Sequence, residues 1–271
     1  NLASDGAVNQ VTAYFSENVT CSSSGSYTAP AACSVCPVIA TLTGSTCTGS
    51  SFGLSASIAA GATYSWTGPN GFSSVSRDIT FNPATLNMSG LYTVQLTNAG
   101  INCQSLASIN VQVFETPLLP VISANNPVCE GVPVDFRSQP SAIPNARYVW
   151  SGPGGFSSNL QNPSINAAQL SATGTYSCKV TANGCESAVA SINLVVNPYP
   201  ATPVPSNDGP HCAGEALTLR AINITGATYE WEGPLGYTSG VQNPVINAAS
   251  NSHSGSYRVR AKVNGCFSQY A

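Results

Sequence analysis

One phrase occurs three times in fixed company: WTGPNGF at 66–72, WSGPGGF at 150–156 and WEGPLGY at 231–237. A cysteine precedes each copy, Cys47, Cys129 or Cys212, at 19, 21 or 19 residues before the tryptophan. A tyrosine follows each tryptophan at 26 residues, as Tyr92, Tyr176 and Tyr257, and a closing cysteine comes after it, as Cys103, Cys185 and Cys266. Successive tryptophans are 84 and 81 residues apart. Self-similarity at a fixed period means one supersecondary unit built three times. Units of this size are at the lower limit of what a single core stabilises without covalent help.

Inside each unit the apolar residues alternate. Phe52, Leu54, Ala56 and Ile58 follow the first opening cysteine, Val132, Val134 and Phe136 the second, and Leu217, Leu219 and Ala221 the third. Period-two alternation marks strands with one buried face. A strand carrying Tyr64 and Trp66, Tyr148 and Trp150, or Tyr229 and Trp231 comes next. These tryptophans share a face with core positions, so they are expected to be buried. In the corner that follows, Pro69, Pro153 and Pro234 suit position i+1 of a turn and Gly71, Gly155 and Gly236 position i+3. Leu235 at i+2 disfavours type II, so a type I turn is expected. Further strands end near Phe81, Ile165 and Ile246, and others start at the Gly-x-Tyr of Tyr92, Tyr176 and Tyr257. Asn183-Gly184 and Asn264-Gly265 predict tight hairpins. No helical period appears, and the pattern predicts an all-β chain of tandem sandwiches.

The full set of landmarks, C…Y-x-W-x-G-P-x-G-[FY]…G-x-Y…N-G-C, resembles immunoglobulin-like domains with their tyrosine corner. In particular it resembles the repeats of large Bacteroidota surface proteins, including gliding-motility and adhesion proteins exported by the type IX pathway. The match covers about 43–271. It implies an N-terminal strand and loop segment at 1–37 and Ig-like repeats at 38–115, 116–198 and 199–271, the last lacking its final strand. The segments 115–128 and 197–211 are proline-rich and read as semi-rigid linkers. The sequence departs from antibody-type domains at the mid-core bridge. Cys178 holds one of its positions and faces Phe136, while Val94 and Val259 hold it in the other units.

Ten cysteines indicate an oxidising compartment. The expected pairing is one bridge per unit: Cys47–Cys103, Cys129–Cys185 and Cys212–Cys266. Cys21 is expected to bond Cys33 or Cys36, because a zinc site would need about four ligands. Cys178 reads as a buried small hydrophobe. Asn18, Asn87 and Asn223 head N-x-S/T sequons and are candidate glycosylation acceptors.

Charged residues make up 7% of the chain and the net charge is −3, which disfavours nucleic-acid and anionic-membrane partners. No apolar run spans a bilayer, and the polar start at Asn1 reads as a mature or excised piece of an exported protein. His211 and His253 have no counterparts in the other units, and no nucleotide, metal or catalytic motif supports an enzyme or a cofactor. Glu230 and Glu232 flank Trp231 and should lie on its solvent face. If any aromatic is presented to a ligand, it is Phe72, Phe156 or Tyr237, beyond the corner.

The resulting expectation is an extracellular or cell-surface structural and adhesive protein, a stalk or filament segment. It would associate with itself, end to end or laterally, or with another surface protein or polysaccharide. One route to end-to-end assembly is donation of the alternating segment 7–16 to the third repeat of a neighbour. The alternatives are a carbohydrate- or protein-binding module and an accessory region of a large secreted enzyme.

Overall fold

A computed structural model describes residues 36–139 and 145–271. Segment 7–16, Asn18, Cys21 and Cys33 lie outside the described residues. The chain falls into two compact units, 1–115 and 116–271.

In the first unit one sheet is Ala40–Gly44, Phe52–Ala56 and Asp78–Phe81, in that order. The facing sheet runs Ser73–Ser74, Thr63–Thr67, Gly90–Asn98, Cys103–Val111. Phe52, Leu54 and Ala56 point inward from one sheet, and Trp66, Tyr92, Val94 and Leu96 from the other. Alternation along the strands thus fills the space between two antiparallel sheets.

The second unit holds two sandwiches of the same plan. In one, Val121–Ala124, Val134–Gln139 and Ser164–Ile165 face Arg147–Ser151, Gly174–Ala182 and Ala190–Leu194. In the other, Pro205–Asn207, Leu217–Ala221 and Val245–Ile246 face Thr228–Glu232, Arg258–Val263 and Cys266–Phe267. Short parallel pairings tie the opening segment to the last strand, Val128–Cys129 with Val196–Asn197, and Cys47 with Phe114 in the first unit. Each is an Ig-like β-sandwich, and the chain is all-β with proline-rich linkers. The described residues add only single 3-10 turns to the strands.

Trp66, Trp150 and Trp231 are at most 1% exposed. They stand in register with Val94, Cys178 and Val259, all fully buried. Tyr92 and Tyr176 are buried and Tyr257 is half-buried. Each tyrosine donates its hydroxyl proton to the carbonyl four residues back, on Met88, Ala172 and His253, at 2.9 Å. Cys178 lies in the core as expected, where burial raises its thiol pKa. Both Asn-Gly hairpins form: φ is positive at Asn183 and Gly184, and at Asn264 and Gly265, as a type I′ turn requires.

The Gly-Pro corner differs from the type I expectation. Pro69 occupies position i, not i+1, and accepts the Phe72 N–H at 3.0 Å. The central pair, Asn70 and Gly71, has φ of 54° and 76°. That is again a type I′ hairpin, whose twist matches the strands it joins. Gly154-Gly155 and Leu235-Gly236 repeat the geometry.

The glycine before each proline answers to sterics. A Cβ on Gly68, Gly152 or Gly233 would lie 2.4–2.5 Å from the ring of Tyr92, Tyr176 or Tyr257. A Cβ on Gly90, Gly174 or Gly255 would meet Cγ of Pro69, Pro153 or Pro234 at 2.6–2.8 Å. W-x-G-P and G-x-Y are thus two halves of one lock across the sheet.

Candidate functional site: a disulfide joint between neighbouring repeats

The described bridges are not those expected within each unit. Cys36 bonds Cys103, and Cys129 bonds Cys266 at a Cα separation of 5.7 Å across 137 residues of chain. Cys47 and Cys185 are also disulfide-bonded, while Cys212 is an exposed thiol. The Cys47–Cys103, Cys129–Cys185 and Cys212–Cys266 scheme is therefore corrected, as is any bond from Cys21 to Cys36.

Topology supplies the reason. Cys185 follows the hairpin at one end of its sandwich. Cys129 pairs with Asn197, at the far end of the last strand. Twelve residues separate Cys185 from Asn197, roughly 30–40 Å at strand rise, whereas a disulfide needs Cα atoms about 4.4–6.8 Å apart. The opening and closing cysteines of one repeat thus lie at opposite ends. Cys129, which opens the second repeat, instead meets Cys266, which closes the third.

The joint is built from backbone upward. Val128 N–H donates to Val195 O at 3.1 Å and Glu130 N–H to Asn197 O at 2.9 Å. Asn126 braces the last strand, donating to Asn193 O and accepting from Val195 N–H, both at 2.8 Å. From the following repeat the Asn264-Gly265 hairpin delivers Cys266. The Asn197 side-chain amide donates to Asn264 O at 3.1 Å, and the sulfur of Cys266 lies 3.9 Å from Asn197 O. In the first unit Ser105 Oγ donates to Cys36 O at 2.6 Å beside the Cys36–Cys103 bridge.

Two motifs escaped the sequence reading. Gln161-Asn162-Pro163 and Gln242-Asn243-Pro244 hold the strands of Ser138 and Ala221: each asparagine accepts a strand N–H, and each glutamine donates to a strand carbonyl. Ser187 and Ser268, two residues past a closing cysteine, are buried. Each accepts an N–H, from Val180 and Ala261, and donates its hydroxyl proton onward. Identical tripeptides and a recurrent C-x-S at matched positions were the available signals.

Phe72, Phe156 and Tyr237 are not exposed platforms. They are half-buried and meet Tyr92, Tyr176 and Tyr257 edge-on at 5.6, 5.2 and 5.5 Å between centroids. Asn87 and Asn223 are exposed.

Glu230 and Glu232 do lie opposite Trp231, in cross-strand register with Arg260 and Arg258. Arg260 bonds Glu230 at 2.7 Å, and Glu232 takes Arg258 and the Tyr270 hydroxyl, also at 2.7 Å. The Tyr270 hydroxyl and Arg258 hold the Glu232 carboxyl below its ordinary pKa. Arg260 stacks over Phe267 at 4.0 Å and Arg258 over Tyr270 at 4.4 Å. These charges satisfy one another, so the patch is a stiffened sheet face.

His211 Nε2 lies 2.7 Å from Asp208 Oδ1, and its Nδ1 lies 3.4 Å from Glu215 Oε2. The Asp208 contact raises the imidazole pKa. His253 Nδ1 accepts the Ser250 N–H at 3.1 Å in a capping contact. Surface hollows of ≈ 320 Å³ beside Ile39 and Arg77, and ≈ 210 Å³ beside Asn145 and Glu186, gather no catalytic set. Among the described residues no group of acidic, histidine or cysteine side chains is arranged for a metal, and no helix is long and apolar enough to cross a membrane.

No protein-family model matches the sequence, and no curated protein matches it. Among solved structures the chain is similar to murine CEACAM1b, with 14% identity over 56% of this chain and 94% of that one and a TM-score of 0.39. A mouse coronavirus receptor-binding domain complexed with its murine receptor gives 15% identity, 59% and 100% coverage, and a TM-score of 0.43. Three N-terminal domains of the bacteriophage RB49 highly immunogenic outer capsid protein give 16%, 85% and 95%, and 0.38. The fold reading rests on the sheets and registers described above.

Proposed function

We propose that this chain is a load-bearing segment of an extracellular, cell-surface stalk or filament. In this reading, of its repeats 38–115, 116–198 and 199–271, the last two are covalently clasped to each other. The carrying observation is the Cys129–Cys266 bridge. Tension applied at the chain ends passes through that bond and bypasses the 137 residues it spans. A bridge inside a single repeat would protect only that repeat. Disulfides persist in oxidising compartments outside the cytosol, which suits the exported surface proteins that the landmark phrase resembles, the type IX-secreted Bacteroidota repeats among them. With 7% charged residues, copies approach one another with little repulsion. Lateral or end-to-end self-association is the partner class this supports, with adhesion to surface proteins or polysaccharide as the task of the assembled array.

Single-molecule stretching tests the reading. Reduction should lengthen the fully extended chain by at least roughly 450 Å, at about 3.3–3.6 Å per released residue. Equal extensions for oxidised and reduced chains would remove the mechanical role. Electron microscopy of native material reads the assembly: ordered fibres support it, and dispersed monomers that bind a glycan array replace it with a ligand-binding module.

A further inference from the structure

Cys212 sits in the same loop as Cys129, one repeat later. In both, a backbone N–H three residues on donates to the opening cysteine's carbonyl at 3.1 Å, from Val132 to Cys129 and from Glu215 to Cys212. Both loops are anchored alike. Gly131 N–H donates to Ala168 O at 2.7 Å, and Gly214 N–H to Ala249 O at 2.8 Å. Ala168 and Ala249 return N–H bonds to Val132 O and Glu215 O. Yet Cys129 is bonded to the closing cysteine of the following repeat, while Cys212 carries an exposed thiol. The other five landmark cysteines, Cys47, Cys103, Cys129, Cys185 and Cys266, are all in disulfides.

We infer that Cys212 is a covalent docking port for a further Ig-like repeat, whose Asn-Gly-Cys hairpin presents a thiol as Asn264-Gly265-Cys266 does to Cys129. This rests on the clasped-array reading and adds its partner. A folded second copy of this chain does not qualify, because its closing cysteines Cys103, Cys185 and Cys266 are already bonded. The bond forms by thiol–disulfide exchange with a small-molecule disulfide. The thiolate of one partner displaces one thiolate from the oxidant, and the second partner's thiolate displaces the other. Two protein thiols and one oxidant disulfide become one protein disulfide and two small thiols, which carry off both protons and both electrons.

The test extends the full chain by a further repeat in register. Ala271 exchanges backbone hydrogen bonds with Val259 in the register that pairs Ala190 with Cys178. Residues 191–271 are therefore appended directly after Ala271. The extended chain is oxidised in a glutathione buffer, alkylated without reduction, digested and mapped by mass spectrometry. The expected map links Cys212 to the appended closing cysteine and moves the alkylated thiol to the appended copy's opening cysteine. Replacing the appended closing cysteine by serine returns the label to Cys212. Cys212 still fully alkylated, joined to a second Cys212, or bonded within its own repeat overturns the proposal.

The Cys129–Cys266 peptide in the same digest is the control. If it is present and Cys212 is unpaired, the port alone fails; if it is absent, the clasped-array reading fails as well. Should the extended chain not fold, mixing the unextended chain with its Cys129→Ser variant keeps the question open to refutation. Here the expected product is a heterodimer joined from Cys212 to the released Cys266, and its absence counts against the port.

Discussion

Gly152 and Tyr176 fit together only because Gly152 has no side chain: a Cβ there would stand 2.4 Å from Cδ1 of the tyrosine ring. Tyr176 is fully buried and packs against Phe136 in a tilted contact with centroids 4.7 Å apart. Its hydroxyl is tied to Ala172 O, so the ring has nowhere to retreat. The same meeting of Gly and Tyr in all three repeats explains why the Gly-Pro corner and the Gly-x-Tyr corner always occur together.

Gly152→Ala should therefore destabilise the second repeat by about 2–3 kcal/mol, the upper part of the roughly 1–3 kcal/mol usual for overpacking a well-filled core. Tyr176→Phe removes one neutral hydrogen bond and keeps the ring, so about 1 kcal/mol is expected. Denaturant unfolding of the two variants checks the order. An alanine variant as stable as the parent would show that the corner can relax.

The strands were legible because alternation and burial obey the same period of two. Phe52, Leu54 and Ala56 could be assigned to a core without coordinates, as could Trp66, Trp150 and Trp231. The corner departs from the type I expectation because proline favours position i+1, whereas here Pro69 sits at position i and the two residues after it carry the positive φ. The cysteine pairing departs from the within-repeat expectation for a different reason. Alternation specifies which face of a strand is buried, but not which end of a sandwich meets the next one. Only the strand length between Cys185 and Asn197 excludes the within-repeat bridge, and that needs the parallel pairing of Val128–Cys129 with Val196–Asn197, which has no local sequence signal.

Leu235 occupies the first central position of its type I′ turn at φ 54° and is 83% exposed. A branched side chain in the left-handed region costs about 1–2 kcal/mol, and no burial offsets it. The equivalent positions hold Asn70 and Gly154. Leu235→Asn should thus raise the stability of the third repeat by about 1 kcal/mol, seen as a higher thermal midpoint. A drop would mean that the leucine makes a contact in solution that compensates the strain.

Removing the joint with the double variant Cys129→Ala, Cys266→Ala opens a loop of 137 residues. Chain entropy alone assigns about 5 kcal/mol to closing a loop of that length. The double variant should melt lower, and its second and third repeats should unfold in separate steps instead of one. Calorimetry of parent and variant reads both effects. An unchanged profile would mean that the bridge does not couple the repeats.

His211 gives the linker ahead of the third repeat a defined pH window. Its hydrogen bond to Asp208 raises the imidazole pKa above its ordinary 6.5, and the same contact, with the Thr218 N–H, holds the Asp208 carboxyl below its ordinary 3.8. The raised histidine pKa means that its share of stabilisation is complete below about pH 6.5 and fades as pH climbs through the folded-state value. The depressed aspartate pKa means that its share is complete above about pH 4 and fades as pH falls through its own lower value. The linker should accordingly be best ordered between about pH 4 and 6.5. Titration of the His211 ring protons by NMR should give a midpoint above 6.5 that moves down in Asp208→Asn, with hydrogen exchange at the Thr218 amide quickening above it. A midpoint at or below 6.5 in the parent would show that the imidazolium–carboxylate contact does not form in solution.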